Sequence, residues 1–485
     1  MQIAISRALP PCYAAGVFDA DVIIVGFRCA GVPLALALHR AGVKVIVIDR
    51  DPFFSDQPIS THAIQPYGMK MLDRLGLGDL VRDLAPRSPA LRFQVEDSYL
   101  QLDLTGTDLD SRAPRRSKLD PALQKAALAE GVDARDKTTV LGLLNDGARV
   151  TGVRVRNGNG EHELRAKLVV GADGRHSTVA KLVCAPAYLE ATTPSGLYWS
   201  YFEETPAFTQ DPRYNWGACI HIERREARAV FQTDSGLLLM AGGGKREMIQ
   251  GWRHDPASAL RKHLEQGALT GPLVDGARMV AKPIGQLSLH IFMKQAVGPG
   301  WALVGDSGLH LDPTPGMGIT DAVRDAAELA DAIIDGSERA MLLYWRRRDA
   351  DSLGLYHFAA DMGSEDYNNP LTRMMFRRSQ SSPAMMKRMY QMMDRTVRPQ
   401  DTLAPLTAIR WIMAESLGGN LAPWSALGRT LRFGRLVQRQ QAILDRALKR
   451  AERGELDYTV PSLSSVRTRE LLPPTSYRVS NFETE

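Results

Sequence analysis

The sequence predicts a two-lobed α/β protein: a parallel sheet with helices packed on it, an inserted, largely antiparallel β layer, and a helical C-terminal region. Three observations predict it. An apolar, β-branched run at 22–25 leads through a glycine-containing turn into a helical pattern (Leu34, Ala37, Leu38) and then a second apolar run at 45–48, the strand–helix–strand unit that opens a parallel sheet. From about 186 to 293 the texture changes to short aromatic and β-branched stretches (197–202, 229–232, 237–240) separated by turn residues, as in an antiparallel layer. At 301–304 a buried strand returns, followed by a Pro/Gly loop and a helix with Ile319, Ala322, Val323, Ala326, Leu329 and Ile333 at helical spacing.

Taken in order, Gly42 closes the first helix and Asp49 ends the second strand. Residues 67–75 read as a helix with Met71, Leu72 and Leu75 on one face, and a short helix follows from Asp79. Asp120 and Pro121 mark the start of another helix, which runs from about Leu119 to Gly131. Residues 153–155 and 168–170 read as strands, the latter running into Gly171-Ala172-Asp173-Gly174. The predicted organisation is a first sheet-and-helix part over 18–185, the β layer over 186–294, a second sheet-and-helix part over 295–358, a helical region over 359–456 and an extended tail over 457–485.

Composition narrows the function. Of 485 residues, 44% are hydrophobic and 24% charged, ordinary for a globular chain. A net charge of +5 over that length is too weak to argue for nucleic acid. No long uninterrupted apolar run suggests a membrane span. Residues 1–17, with Arg7, Pro10 and Pro11, read as a loose extension rather than a signal peptide. The four cysteines, Cys12, Cys29, Cys184 and Cys219, have neither metal-ligand spacing nor the density of a disulfide framework, so a reducing cytoplasm fits.

Three separated segments carry chemistry. In Gly26-Phe27-Arg28-Cys29-Ala30-Gly31, Gly26 and Gly31 fit the tight-turn and helix-packing positions of a dinucleotide fingerprint, while Arg28 replaces the middle glycine and must turn away from the phosphates or contact them. Asp49, about twenty residues on, can hold a ribose hydroxyl. In the second segment, Asp173 and Gly174 end an apolar strand; an Asp-Gly turn with a helix cap at Ser177 is the plainer reading. The third, from Gly305-Asp306 through Asp312-Pro313 to Gly316-Met317-Gly318, ends a buried strand and opens a helix whose bare backbone suits an anionic ring edge.

In this order and at these separations, the segments resemble the para-hydroxybenzoate-hydroxylase-like (class A) flavoprotein monooxygenases over roughly residues 20 to 350. The hexapeptide above, Ser60-Thr61-His62, and Asp312-Pro313 with Gly318-Ile319-Thr320-Asp321-Ala322 resemble its FAD-dependent oxidoreductase subgroup. The resemblance implies a Rossmann-like FAD-binding domain with an inserted substrate domain. It implies FAD as cofactor and NADPH or NADH as a transient co-substrate without a nucleotide domain of its own. Gly26 and Gly31 would form the pyrophosphate turn, and Asp49, with Arg50 beside it, would bind the adenosine ribose. Arg116 would contact FAD, Asp173 and Gly174 would flank the flavin and the nicotinamide approach, and Asp306 would bind the ribityl chain. Pro313, Gly316, Met317 and Gly318 would lie along the isoalloxazine, where reduced flavin meets oxygen to form a C4a-hydroperoxide.

The antiparallel layer would roof the reactive face. Tyr198, Trp199, Tyr201, Trp216, His221 and Phe231 are its candidate substrate contacts, pointing to a small apolar or aromatic substrate oxidised with O2 by hydroxylation or epoxidation; core packing is the rival role for each taken singly. His62 is a candidate proton carrier near the ring and equally a structural loop histidine, as is His310. The Met and Arg stripe (Met374, Met375, Arg377, Arg378, Met385, Met386, Lys387, Met389) fits membrane contact or a lipophilic lid less well than a helix packed on the body with a solvated basic face. Three alternatives stand beside the monooxygenase. They are a prenyl-reductase-like reductase or cyclase on the same fold, a halogenase, whose Trp-x-Trp-x-Ile-Pro signature is absent, and a cofactor-free scaffold favoured only by Arg28.

Overall fold

A computed structural model describes residues 18–55, 62–223, 226–287, 289–362, 370–398, 401–402, 405–417 and 423–463. Ser60, Thr61, the N-terminal extension and most of the expected tail lie outside the described residues.

The first sheet is built on strands Trp301–Leu303, Gly160–Gly171, Ala20–Val25, Val45–Ile48 and Asp133–Arg135, adjacent in that order and parallel. Short buried apolar strands joined through helices give this arrangement, because both sheet faces are covered. Helix Gly31–Arg40 follows strand Ala20–Val25, and helix Gly318–Asp335 comes after strand Trp301–Leu303. Strands Thr139–Asp146 and Arg149–Asn157 extend the sheet as an antiparallel hairpin off Gly160–Gly171.

The second sheet is the roof. Its strands run Ile284–Gln286, Ser195–Glu203, Leu237–Lys245, Glu226–Gln232, Ala218–Glu223, Ala90–Val95 and Ser98–Asp103. The last two correct the expected division of the chain: the hairpin at 90–103, inside the predicted first part, belongs to the roof, where Ala90–Val95 pairs in parallel with Ala218–Glu223. A three-stranded sheet of Leu309–His310, Leu289–Lys294 and Ala187–Thr193 connects the roof to the strand before the third segment.

Strand alternation splits the roof between two cores. One face carries Trp199, Ile220, Ile222, Phe231, Leu239 and Ala241, with Leu197 and Tyr201 beside them, and shares one continuous core with helices Gly31–Arg40 and Gly318–Asp335. The other carries Tyr198, Phe202, Cys219, Val230, Leu238 and Met240 and packs under helix Pro256–Glu265 and its neighbours.

The C-terminal helices close the body. Helix Pro370–Gln380 lies on the 90–103 hairpin, where Arg373 pairs with Asp97 (2.6 Å) and Arg377 donates to Ser98 Oγ (3.1 Å). Met374, Met385 and Met389 are buried, so the Met stripe packs on the body while Arg378 and Lys387 stay outside that core. Among the described residues no helix is long and apolar enough to cross a membrane, and no group of three or more side chains could hold a metal.

Candidate cofactor and active site

The three segments meet at the C-terminal edge of the parallel sheet. Gly26 has φ +107°, and a Cβ there would stand 2.4 Å from the Ala172 carbonyl oxygen; a Cβ on Gly31 would stand 1.9 Å from the Gly26 carbonyl oxygen. The first turn thus needs glycine at both ends, and it touches the second segment through Ala172. The third segment joins through Val304 N–H, which donates to Gly171 O (3.0 Å), and Ser307 Oγ, which donates to the same oxygen (2.6 Å). Gly305 sits between Ala30 of the first turn and Ala322 of helix Gly318–Asp335, where a Cβ would come within 3.2 Å and 3.3 Å of their methyls.

Neither glycine-led helix has a side-chain cap at its N-terminus. Both positive dipole ends face the site, and at Gly318 the first N–H groups are free for an anion; at the first helix Val32 N–H already donates to Arg28 O (2.9 Å) and Pro33 has no N–H. Asp306, half-buried in the turn between them, has no hydrogen-bond partner among the described residues. A side chain on Gly318 would enter open space, as would one on Gly174. Two positive helix ends, a carboxylate between them that makes no hydrogen bond among the described residues and room beside Gly318 fit a dinucleotide carrying a flat anionic ring.

Asp49 Oδ2 accepts from Phe27 N–H (2.8 Å) and Oδ1 from Asp51 N–H (2.9 Å). Burial pushes its carboxyl above the usual range while those N–H groups oppose the shift. It braces the glycine turn and keeps lone pairs for a hydroxyl. Arg50 is largely exposed at the rim, 3.9 Å from Asp51.

Arg116, the first residue of helix Arg116–Ala129, is held by Asp120 through two hydrogen bonds of 2.8 Å. Asp120 also accepts from Arg28 Nη1 (3.1 Å) and from the Cys29 thiol (3.4 Å), which burial pushes up to about 12. Burial works to raise the Asp120 carboxyl, but Arg116 and Arg28 hold it below its usual range. Arg28 also pairs with Asp51 (3.3 Å) and donates to Ser55 O and Oγ, so its side chain turns away from the helix end. Gln124, one further turn along, donates to Phe27 O (2.7 Å) and accepts from Phe54 N–H (2.8 Å). Arg116, Asp120 and Gln124 lie at i, i+4 and i+8; that spacing carried the signal for the two residues sequence reasoning missed.

Asp173 takes the plainer of its two roles. Its carboxylate accepts from Ser177 Oγ (2.5 Å), Thr178 N–H (2.6 Å) and Val179 N–H (3.2 Å), and Ser177 Oγ caps Ala180 N–H. Arg175 ties this turn to the roof edge through Gln286 (2.8 Å).

The Asp312–Gly318 loop is fixed internally and from residues 62–65. Gly316 N–H donates to Pro313 O (2.8 Å), Gly316 has φ +67°, and buried Asp312 accepts from Thr314 N–H (3.0 Å). Gln65 N–H donates to Thr320 Oγ1 (2.9 Å), and a Cβ on Gly316 would stand 3.1 Å from the Ala63 methyl. Met317 is buried at the helix N-cap. His62 spans the gap to the roof: its Nε2 shares a hydrogen bond with the Tyr201 hydroxyl (2.5 Å), and the rings stack with 3° between their planes. Burial, reinforced by Arg116, depresses the imidazole to about 3, so it is neutral near pH 7. Arg115 lies over the Tyr201 ring and pairs with Asp234 through Nη2 (2.5 Å). His310 Nδ1 bonds the His290 carbonyl (2.7 Å), a structural contact.

Of the expected substrate contacts, Tyr201 and Phe231 lie on the roof face turned toward the loop, together with Trp199. Tyr198, Trp216 and His221 are corrected. Tyr198 packs over Gly285 and Trp252 in the opposite core, and Trp216 packs there against Phe208 and Tyr214. His221, between Ile220 and Ile222 in the strand, alternates to that same opposite side. The two-residue period decides Tyr198 and His221; Trp216 lies before the strand and turns its indole N–H to Arg213 O (3.0 Å).

Comparison with known proteins agrees with the cradle. Residues 19–227 match the FAD binding domain family. The chain is 32% identical to 6-methylpretetramide 4-monooxygenase of Streptomyces rimosus over 173 residues, 34% of this chain and 41% of that enzyme, so it spans less than half of that relative. It is 25% identical to digeranylgeranylglycerophospholipid reductase 1 of Methanopyrus kandleri over 343 residues, 68% of this chain and 85% of that enzyme. In fold it is similar to the flavin-dependent brominase Bmp2, with a TM-score of 0.69 at 14% identity, covering 82% of this chain and 99% of that one.

Proposed function

We propose that this chain, an FAD-dependent oxidoreductase whose binding domain is of the class A monooxygenase type, is a single-component monooxygenase. It would use NADPH or NADH and O2 to hydroxylate or epoxidise a small apolar or aromatic molecule. The observation that carries the reading is the pairing of an uncapped, glycine-led helix end at Gly318 with an apolar roof face bearing Trp199, Tyr201 and Phe231.

FAD supplies hydride acceptance and oxygen activation when bound. The chain's residues bind, orient and dry the site. Gly26, Gly31 and the first helix end hold the pyrophosphate, Asp49 a ribose hydroxyl and Asp306 the ribityl hydroxyls. Arg116, oriented by Asp120, adds positive charge beside Asp306. The N–H groups and dipole at Gly318 favour negative charge on the ring edge. The roof excludes water from its reactive face. Neutral His62 and the Tyr201 hydroxyl form a hydrogen-bonded pair between residues 62–65 and the roof, which would hold or pass one proton beside the bound ring.

The broad match to a digeranylgeranylglycerophospholipid reductase favours a second reading, a reductase or cyclase on the same cradle that uses no oxygen. Turnover under labelled dioxygen with mass spectrometry of the product separates the two. The expected result is substrate-accelerated NAD(P)H oxidation and one labelled oxygen atom in the product. A saturated or cyclised product without label sinks the monooxygenase reading.

A further inference from the structure

The helical C-terminal region has no part in the site as described so far, yet one of its side chains reaches the helix that begins at Gly318. Helix Pro383–Met393 ends with Asp394, and Arg395 follows at φ +57°. Its N–H donates to Met392 O (3.1 Å) and that of Thr396 to Gln391 O (2.9 Å), which closes the helix end. This left-handed position after a helix favours glycine, and a side chain there costs about 1–2 kcal/mol.

That side chain is buried. Its Nη2 donates to Asp321 Oδ1 (2.6 Å), with side-chain exposures of 9% and 6%. Asp321 lies in the first turn of helix Gly318–Asp335. Arg324 Nη1 approaches the same oxygen at 3.1 Å, but Arg324 is shared with Asp325 (2.6 Å). Asp321 Oδ2 and Arg395 Nη1 have no hydrogen-bond partner among the described residues, so the contact rests on one oxygen. Next door, Lys70 fastens Asp394 (3.3 Å) to helix Pro66–Arg74, whose preceding residue Gln65 braces Thr320.

A carboxylate in the first turn stabilises its own helix but cancels the positive end that the helix presents to an outside anion. We propose that Arg395 is a positioning residue for the flavin: it neutralises Asp321 so that the helix N-terminus at Gly318 keeps its positive end for the reduced ring. The inference rests on the reading that the ring lies along residues 313–318.

The test reads the two-electron potential of FAD-loaded protein against a reference dye, beside its flavin content, in R395G, R395K, D321N and R395G/D321N. Glycine relieves the backbone at 395, so R395G deletes the guanidinium without breaking the helix end. At fixed poise the reduced-to-oxidised ratio is expected to fall about tenfold in R395G, about 30 mV for two electrons. It should stay within about threefold of the parent in R395K and in the double variant, whose net charge is unchanged, and rise in D321N. An R395G protein that keeps FAD at the parent potential overturns the proposal, as does a fall that D321N fails to reverse. Should R395G not fold, D321N alone decides: a rise supports the proposal and an unchanged potential overturns it. A parent that takes up no flavin refutes the underlying reading instead.

Discussion

Two helices begin with glycine at the same sheet edge, one pressed against backbone and the other beside open space. At Gly31 the helix presses backbone to backbone on the preceding turn, 1.9 Å from a would-be Cβ to the Gly26 oxygen. At Gly318 the Cβ would enter open space, and the strained glycine is Gly316, two residues earlier, at φ +67°. The first end is sealed to the fold and braced by Asp49, Asp120 and Gln124. The second is held by a self-contained loop, by residues 62–65, and from the far end of the chain by Arg395. Replacing the glycines of the sealed end should therefore cost folding and cofactor together, and changes at the open end should cost chemistry first.

The largest effect is expected from Gly31→Ala. The methyl meets the carbonyl oxygen of Gly26, whose own N–H is tied to Ile48 O at the sheet end (2.8 Å), and overpacking of this kind costs about 3 kcal/mol. Urea unfolding of the FAD-free protein should show that loss; a loss below about 1 kcal/mol would mean the turn can yield, and the comparison would fail at its first step. Asp306→Ala is next. No protein hydrogen bond among the described residues is broken, so unfolding should be nearly unchanged while FAD affinity drops about ten- to hundredfold, the worth of a charge-assisted hydrogen bond. Flavin fluorescence titration reads it, and unchanged affinity would mean that Asp306 does not hold the cofactor.

Gly316→Val tests the open end. The left-handed backbone costs about 1–2 kcal/mol, and the side chain meets the Ala63 methyl, 3.1 Å from the first added carbon. FAD should remain bound while product formation per NAD(P)H consumed falls by about tenfold or more. Loss of FAD in step with activity would make the two helix ends alike.

The three glycine segments were legible because turn chemistry is local. Glycine, aspartate and proline at strand ends announce themselves whatever the rest of the chain does, and the strands at 22–25 and 45–48 and the helix after Gly318 follow from periodicity. The roof was legible as a layer but not in its membership. The hairpin at 90–103 pairs with a strand more than a hundred residues later, and such pairing leaves no local mark. Alternation shows that Trp199 and Tyr201 share one face and Tyr198 and Phe202 the other. It does not say which face looks at the loop, because helices cover the outer face and both are apolar. Asp120 was visible four residues after Arg116, and its burial was not.

The smallest effect is expected at the residue that departs most from the fingerprint. Arg28 stands where a dinucleotide turn has its middle glycine, and a side chain there endangers the phosphate approach. In this chain the guanidinium is turned aside, bonded to Asp120 (3.1 Å), Asp51 (3.3 Å) and Ser55. Its charge is already met by two carboxylates, so the field it adds at the helix end is small. Asp120 keeps Arg116 and the Cys29 thiol when Arg28 is gone. Arg28→Gly should therefore leave FAD affinity within about threefold of the parent while lowering stability by about 1–2 kcal/mol, from the lost hydrogen bonds and the entropy of an added glycine. A tenfold gain in affinity would mean that Arg28 obstructs the phosphates, and a tenfold loss that it contacts them. In either case the sealed end would owe its design to this side chain as well as to its glycines.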